Sequence, residues 1–209
     1  MKTERARGHG SDPKSTRPIV KRATQHGGEV RLIGGQWKRT LLAVPDRPGL
    51  RPTPDRVRET LFNWLGADLS GWRVLDAFAG TGALGLEAAS RGADEVVLLD
   101  SDEIAVRQMR ATHQRLHAPT SVRIERADAL KWMQRCPASC FELIFIDPPF
   151  DSPHASPACE KALRLLVPGG WLVIESPQPL APPEAGVQTR RQMRAGAVHL
   201  ELRQRLTPD

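Results

Sequence analysis

From Gly71 onward, short apolar runs alternate with helical ones. Arg73 to Asp76, Ala83 to Arg91, Glu95 to Asp100 and Asp102 to Leu116 read as strand, helix, strand, helix. Strands joined through helices run parallel, and a parallel sheet is covered by helices on both faces. The alternation continues with a strand from Val122 to Glu125, a short helix around Leu130 to Met133, an apolar strand from Phe141 to Ile146, a helix from about Ala158 to Leu166 and a strand from Trp171 to Glu175. Residues 187–194 and 197–205 flank an Ala195-Gly196 turn. Val198, Leu200 and Leu202 alternate there with His199, Glu201 and Arg203, which is the pattern of an antiparallel hairpin closing one sheet edge. The expected fold class is therefore α/β, a doubly wound, mostly parallel Rossmann-like sheet with an antiparallel C-terminal hairpin.

The segments before this unit are different. Residues 1–28 are basic and polar with almost no large apolar side chains, so they read as a disordered arm. Residues 29–70 read as a small extension. Val30 to Val44 suggests a hairpin turning at Gly34-Gly35, and Thr53 offers a helix cap with Pro54 at the first helical position. Val57, Leu61, Trp64 and Leu65 then recur on one helical face, with Arg56 and Arg58 turned outward. Residues 71–209 make up the catalytic-size domain. Charge follows this division: residues 1–58 carry 14 Lys/Arg against 5 Asp/Glu, residues 59–186 carry 11 against 17, and residues 187–209 carry 5 against 2. An acidic centre suits a cationic small ligand, whereas basic ends suit a polyanion such as nucleic acid. Three cysteines, Cys136, Cys140 and Cys159, are too few and too irregularly spaced for a disulfide framework or a familiar zinc site, so no metal is expected. With no apolar membrane-spanning run or signal segment, and with thiols that read as reduced, the expectation is a cytoplasmic protein with no membrane partner; a monomer is expected.

Asp76-Ala77-Phe78-Ala79-Gly80-Thr81-Gly82-Ala83-Leu84-Gly85 sets a GxGxxG turn between the first sheet strand and its helix, where backbone can approach a ligand closely. The next strand ends in Asp100, placed to accept both hydroxyls of a ribose. Both features fit a nicotinamide dinucleotide or S-adenosylmethionine, and charge separates the two. A carboxylate at the mouth of the turn, Asp76, repels a pyrophosphate and favours an ammonium and a sulfonium. Asp128 with Ala129, just past the third sheet strand, can take an adenine amino group and donate a backbone N–H, and Asp128 can equally cap the helix that follows. S-adenosylmethionine is thus the expected cofactor, bound by Asp76, Phe78, Gly80, Gly82, Asp100, Asp128 and Ala129.

The apolar strand Phe141 to Ile146 ends in Asp147-Pro148-Pro149-Phe150. Ligands in parallel sheets bind at the strands' carboxyl ends, and the two prolines fix their own backbone and supply no N–H. A carboxylate and a carbonyl are held out as acceptors beside an aromatic ring, which suits the amino group of a planar base. Asp147, Pro148 and Phe150 are accordingly the catalytic candidates. Arg31, Lys38, Arg39, Arg51, Arg56 and Arg58, and at the other end Arg190, Arg191 and Arg194, are candidate phosphate contacts, and Asn63 could face the site.

The motifs Arg31-Leu32-Ile33-Gly34-Gly35, Leu50-Arg51-Pro52-Thr53, Asp55-Arg56-Val57-Arg58-Glu59-Thr60-Leu61-Phe62-Asn63, Phe78-Ala79-Gly80-Thr81-Gly82 and Asp147-Pro148-Pro149-Phe150 together resemble the RsmD family, bacterial guanine-N2 methyltransferases of small-subunit ribosomal RNA in the class I S-adenosylmethionine-dependent group. The resemblance covers about residues 30–206 and implies methyl transfer to a guanine of 16S ribosomal RNA, within a small ribosomal subunit or its assembly intermediate. The Asp147 tetrapeptide alone is shared with adenine-N6 methyltransferases of DNA and RNA. It therefore indicates amino-group chemistry and leaves the base open. A reading of a different class is a noncatalytic RNA-binding protein on a vestigial fold.

Overall fold

The computed structural model describes residues 28–44, 53–148 and 155–208. The basic arm, Arg51, Pro149 and Phe150 lie outside them. Nine strands and five helices follow one another among the described residues as β1 (Glu29–Arg31), β2 (Leu41–Ala43), α1 (Asp55–Leu65), β3 (Arg73–Asp76), α2 (Ala83–Ser90), β4 (Glu95–Asp100), α3 (Glu103–Arg115), β5 (Val122–Arg126), α4 (Ala129–Arg135), β6 (Phe141–Ile146), α5 (Ala155–Leu165), β7 (Leu166–Ser176), β8 (Val187–Ala195) and β9 (Val198–Arg205). β3 to β9 form one seven-stranded sheet in the order β5-β4-β3-β6-β7-β9-β8. The first five are parallel, while β9 runs antiparallel to both β7 and β8, as the alternating apolar pattern indicates. Chain order reverses between β3 and β6, and open α/β sheets bind ligands at such a switch point. No helix among the described residues is long and apolar enough to cross a membrane.

The central strands β3, β4, β6 and the second half of β7 carry near-continuous apolar runs because side chains on both faces are buried, whereas the edge strand β5 is only partly buried. One face packs Val74, Leu98, Phe145 and Val173 against α1, α2 and the β1–β2 hairpin. The other packs Leu75, Leu99, Ile144 and Ile174 against α4 and α5. β7 starts earlier than Trp171: its opening residue Leu166 pairs with Phe141, and Pro168-Gly169-Gly170 then forms an irregularity before pairing resumes at Trp171 with Leu143. Gly169 takes left-handed backbone there (φ 82°), and a Cβ on Gly170 would lie 2.9 Å from the Val167 carbonyl oxygen.

Three local expectations are corrected. β1 and β2 do pair antiparallel, but Gly34-Gly35 is not their turn. It lies against the end of α2, where Gln36 N–H donates to the Ser90 carbonyl at 2.8 Å and a Cβ on Gly35 would stand 1.7 Å from that same oxygen. Thr53 does not cap α1: the helix starts at Asp55, the Pro54 carbonyl accepts the first N–H groups, and the Thr53 hydroxyl points elsewhere. Arg58 is buried rather than outward.

Helix α2 is buried on every side, and its composition of Ala, Leu and Gly permits that. Its one acid, Glu87, accepts the N–H groups of Ile33 and Gly34, each at 2.7 Å, and pairs with Arg91 at 2.8 Å. Ser90 accepts from Trp37 N–H and donates to the Gly34 carbonyl. A buried carboxylate with three donors is satisfied, and here it ties the extension to the helix that leaves the glycine turn.

Candidate active site

The strand ends gather the acids. Asp76 closes β3, where it pairs with Leu98 of β4 and Phe145 of β6. Its Oδ2 accepts from Gly85 N–H at 2.9 Å, in the first turn of α2. Gly80 and Gly82 adopt left-handed backbone (φ 54° and 77°), and Gly80 N–H donates to Asp100 Oδ2 at 2.9 Å. Gly85 is needed for contact: a Cβ there would lie 2.9 Å from Leu98 and 3.1 Å from the Asp76 Cβ. So the turn wraps between Asp76 and Asp100, with half-buried Phe78 on its near side. Asp100 is itself half-buried and also accepts from Asp102 N–H at 2.8 Å. Asp128 is exposed and caps α4, accepting Lys131 N–H at 2.9 Å, next to buried Ala129. All the expected cofactor contacts stand on consecutive strand ends β3, β4 and β5.

Asp147 follows β6 directly. Because Asp76 is in register with Phe145, Asp147 lies two residues beyond it on the neighbouring strand, about 7 Å further along the sheet. Side chains two apart on a strand share a face, so Asp147 lies on the face of Phe145 and Asp76. Pro148 is buried beside it. One more acid joins them that the sequence reading omitted. Ile146 and Ile174 are paired, so Glu175 at the end of β7 adjoins Asp147, and its Oε2 accepts the Thr53 hydroxyl at 2.8 Å. An apolar strand ending in an acid, Trp171 to Glu175, repeats the Phe141 to Asp147 pattern and was the available signal. Thr53 carried none, being 122 residues away.

Three acids on one face in a dry setting repel one another and lose solvation. Burial raises the Asp76 carboxyl to about 7; the Gly85 and Phe78 N–H groups oppose this and Asp100 adds to it. Burial, then the charges of Glu175 and Asp76, holds Asp147 well above the usual carboxylate range. Glu175 is raised by burial too, against the Thr53 hydroxyl. Such a site attracts cations and N–H donors. It fits the ammonium and sulfonium of S-adenosylmethionine and opposes the pyrophosphate of a dinucleotide.

Arg31, Lys38, Arg39 and Arg56 are exposed, as are Arg190, Arg191 and Arg194 on the edge strand β8. Arg58 is not among them. Its guanidinium is fully buried, pairs with Asp55 at 2.7 Å, and donates to the Thr53 and Arg31 carbonyls. It therefore locks α1 to β1, and burial lowers its pKa. Asn63 is exposed on α1, off the buried stripe of Val57, Arg58, Leu61, Phe62 and Leu65. That stripe packs Phe62 on Phe145, ring centroids 6.1 Å apart, with the Arg91 guanidinium 4.8 Å over Phe62.

Comparison with known proteins gives the chain's relatives. The family model described as Conserved hypothetical protein 95 matches residues 30–204. The protein named ribosomal RNA small subunit methyltransferase D of Escherichia coli is 42% identical over 149 residues, which is 71% of this chain and 72% of that one. Its namesake in Haemophilus influenzae is also 42% identical, over 69% of this chain and 74% of that one. A solved structure from Escherichia coli superposes with a TM-score of 0.75 at 36% identity, covering 87% of this chain and all of that one. The hypothetical protein TTHA0928 of Thermus thermophilus superposes at 0.70 with 29% identity, covering 86% and 99%. The acids at the strand ends therefore sit in a frame shared along nearly the whole chain, and the chain belongs to the Conserved hypothetical protein 95 family, that of ribosomal RNA small subunit methyltransferase D, the RsmD family.

Proposed function

We propose that this protein transfers a methyl group from S-adenosylmethionine to the exocyclic N2 of one guanine in 16S ribosomal RNA, presented in a small ribosomal subunit or an assembly intermediate. The names of its relatives support the RNA target, and the observation that carries the chemistry is the shared face of Asp76 and Asp147 on adjacent strands. Asp76, Phe78, Gly80, Gly82, Asp100, Asp128 and Ala129 would hold the cofactor, which when bound supplies an electrophilic methyl group. The guanine amine is a weak nucleophile because its lone pair is delocalised into the ring. Asp147 and the Pro148 carbonyl each accept one of its N–H groups, turn the lone pair out of the ring plane and face the positive charge that develops on nitrogen. Phe150 stacks on the extruded base and offsets part of its unstacking. Asp147 then takes the released proton or passes it to water. Arg31, Lys38, Arg39, Arg51 and Arg56 contact phosphates, together with the basic arm at 1–28, the extension at 29–70 serving as an RNA-facing module on the catalytic domain 71–209.

The test uses small subunits from cells lacking this gene and cofactor labelled on its methyl group. Label in RNA that digests to N2-methylguanosine supports the reading. Label in N6-methyladenosine transfers the chemistry to adenine, and no label in RNA defeats it.

A further inference from the structure

The reaction just described leaves one buried acid without a task. Glu175 is 4% exposed and Thr53 6%, and the hydrogen bond between them is closed off from solvent. Asp147 and Glu175 are the next residues along paired parallel strands, so their side chains leave the same face about 5 Å apart. Among the described residues neither acid is in an ion pair, and the donor held by Glu175 is a neutral hydroxyl. A buried carboxylate with one neutral donor is poorly compensated, yet its two oxygens offer about four acceptor positions. The pair is thus an array of acceptors set for two or more donors side by side.

Purine edges differ in this respect. Guanine presents its N2 amine and its N1–H next to one another, both donors. Adenine presents its N6 amine beside an unprotonated N1, whose lone pair would face the second carboxylate. We propose that Glu175, held by the Thr53 hydroxyl, accepts the N1–H of the target guanine while Asp147 accepts from N2, so that Glu175 selects guanine over adenine. This rests on the proposed reaction and adds what Asp147-Pro148-Pro149-Phe150 lacks, since that element suits either amine. Thr53 acts through Glu175 as a positioning residue. It stands at the foot of α1, where its own carbonyl accepts from buried Arg58, so the geometry of the pair is fixed by packing.

The experiment compares guanine with 2-aminopurine, which keeps the 2-amino group but has no proton on N1, at the mapped target nucleotide of a ligated RNA assembled into subunits. Wild-type protein is expected to favour guanine in kcat/KM by about 100-fold, because 2-aminopurine leaves the buried Glu175 acceptor without the N1–H it is placed to receive. Glu175→Ala and Glu175→Gln should cut that preference by about tenfold or more, and Thr53→Val should reduce it in the same direction while Thr53→Ser retains it. Equal wild-type rates on the two bases overturn the proposal without any variant. So does a Glu175 variant that slows both bases by the same factor, which is the mark of a purely structural role. In both of those cases guanine methylation itself stands. Transfer to neither base by wild-type protein overturns the reaction reading and this proposal with it.

Discussion

Cofactor affinity should depend steeply on pH through Asp76. Burial pushes the Asp76 carboxyl up to about 7, and the proposed contact with a bound ammonium requires it ionised. Below that point each binding event must first expel a proton, so the dissociation constant grows as 1 + 10^(7 − pH): about tenfold at pH 6 and about 100-fold at pH 5, each unit being about 1.36 kcal/mol. Above about pH 8 it should be flat. Calorimetry of S-adenosylhomocysteine between pH 5.5 and 8.5, in buffers of different ionisation enthalpy, reads both the affinity and the released proton. 5′-Methylthioadenosine lacks the ammonium and should show little of this slope, and Asp76→Asn should bind weakly at pH 8 but without the slope. Affinity for S-adenosylhomocysteine that is level or rises on acidification would refute the argument. Stability of the ligand-free protein carries the opposite sign. A folded pKa above the ordinary 3.8 means the native state keeps a proton the unfolded chain has lost, so stability declines as pH rises from about 4 to 7 and cofactor restores it.

Asp147→Asn should leave cofactor affinity within a few-fold of wild type while lowering kcat by about 10²- to 10⁴-fold, measured by methyl incorporation under single-turnover conditions. Arg56→Ala and Arg58→Ala should separate cleanly. The exposed residue should weaken RNA binding and shallow its salt dependence by about one ion, read by filter binding across salt, whereas loss of the buried one should cost about 3 kcal/mol in urea unfolding. Gly35→Ala should destabilise by about 3 kcal/mol or more, because its backbone is left-handed and its Cβ would collide with the Ser90 carbonyl.

The parallel core was legible because strands buried on both faces leave unbroken apolar runs; Asp76, Asp100 and Asp147 stood out because each ends such a run, and Asp128 because it stands between a strand and a helix. Arg58 was not. Its neighbours Val57, Leu61 and Leu65 mark the inward stripe, but a guanidinium on that stripe reads as solvated until Asp55 and two carbonyls are found around it. The role of Gly34-Gly35 was hidden similarly, since two glycines between strands suggest a turn and only the packed α2 shows a close approach. Thr53 and Glu175 meet across the fold, and local pattern holds no trace of a partner 122 residues distant. Glu87 is the exception that could have been noticed: one acid in an otherwise apolar helix demands company.

Helix α2 begins where the glycine turn ends and finishes against the hairpin that bears Arg31, Lys38 and Arg39. Eight residues make a strut about 12 Å long, too short to bend and buried all round. Cofactor seated in the turn at one tip is therefore expected to slow amide exchange in the hairpin at the other, and unchanged exchange with S-adenosylhomocysteine bound would refute this. The glycine turn and the cationic hairpin are joined through this one rod.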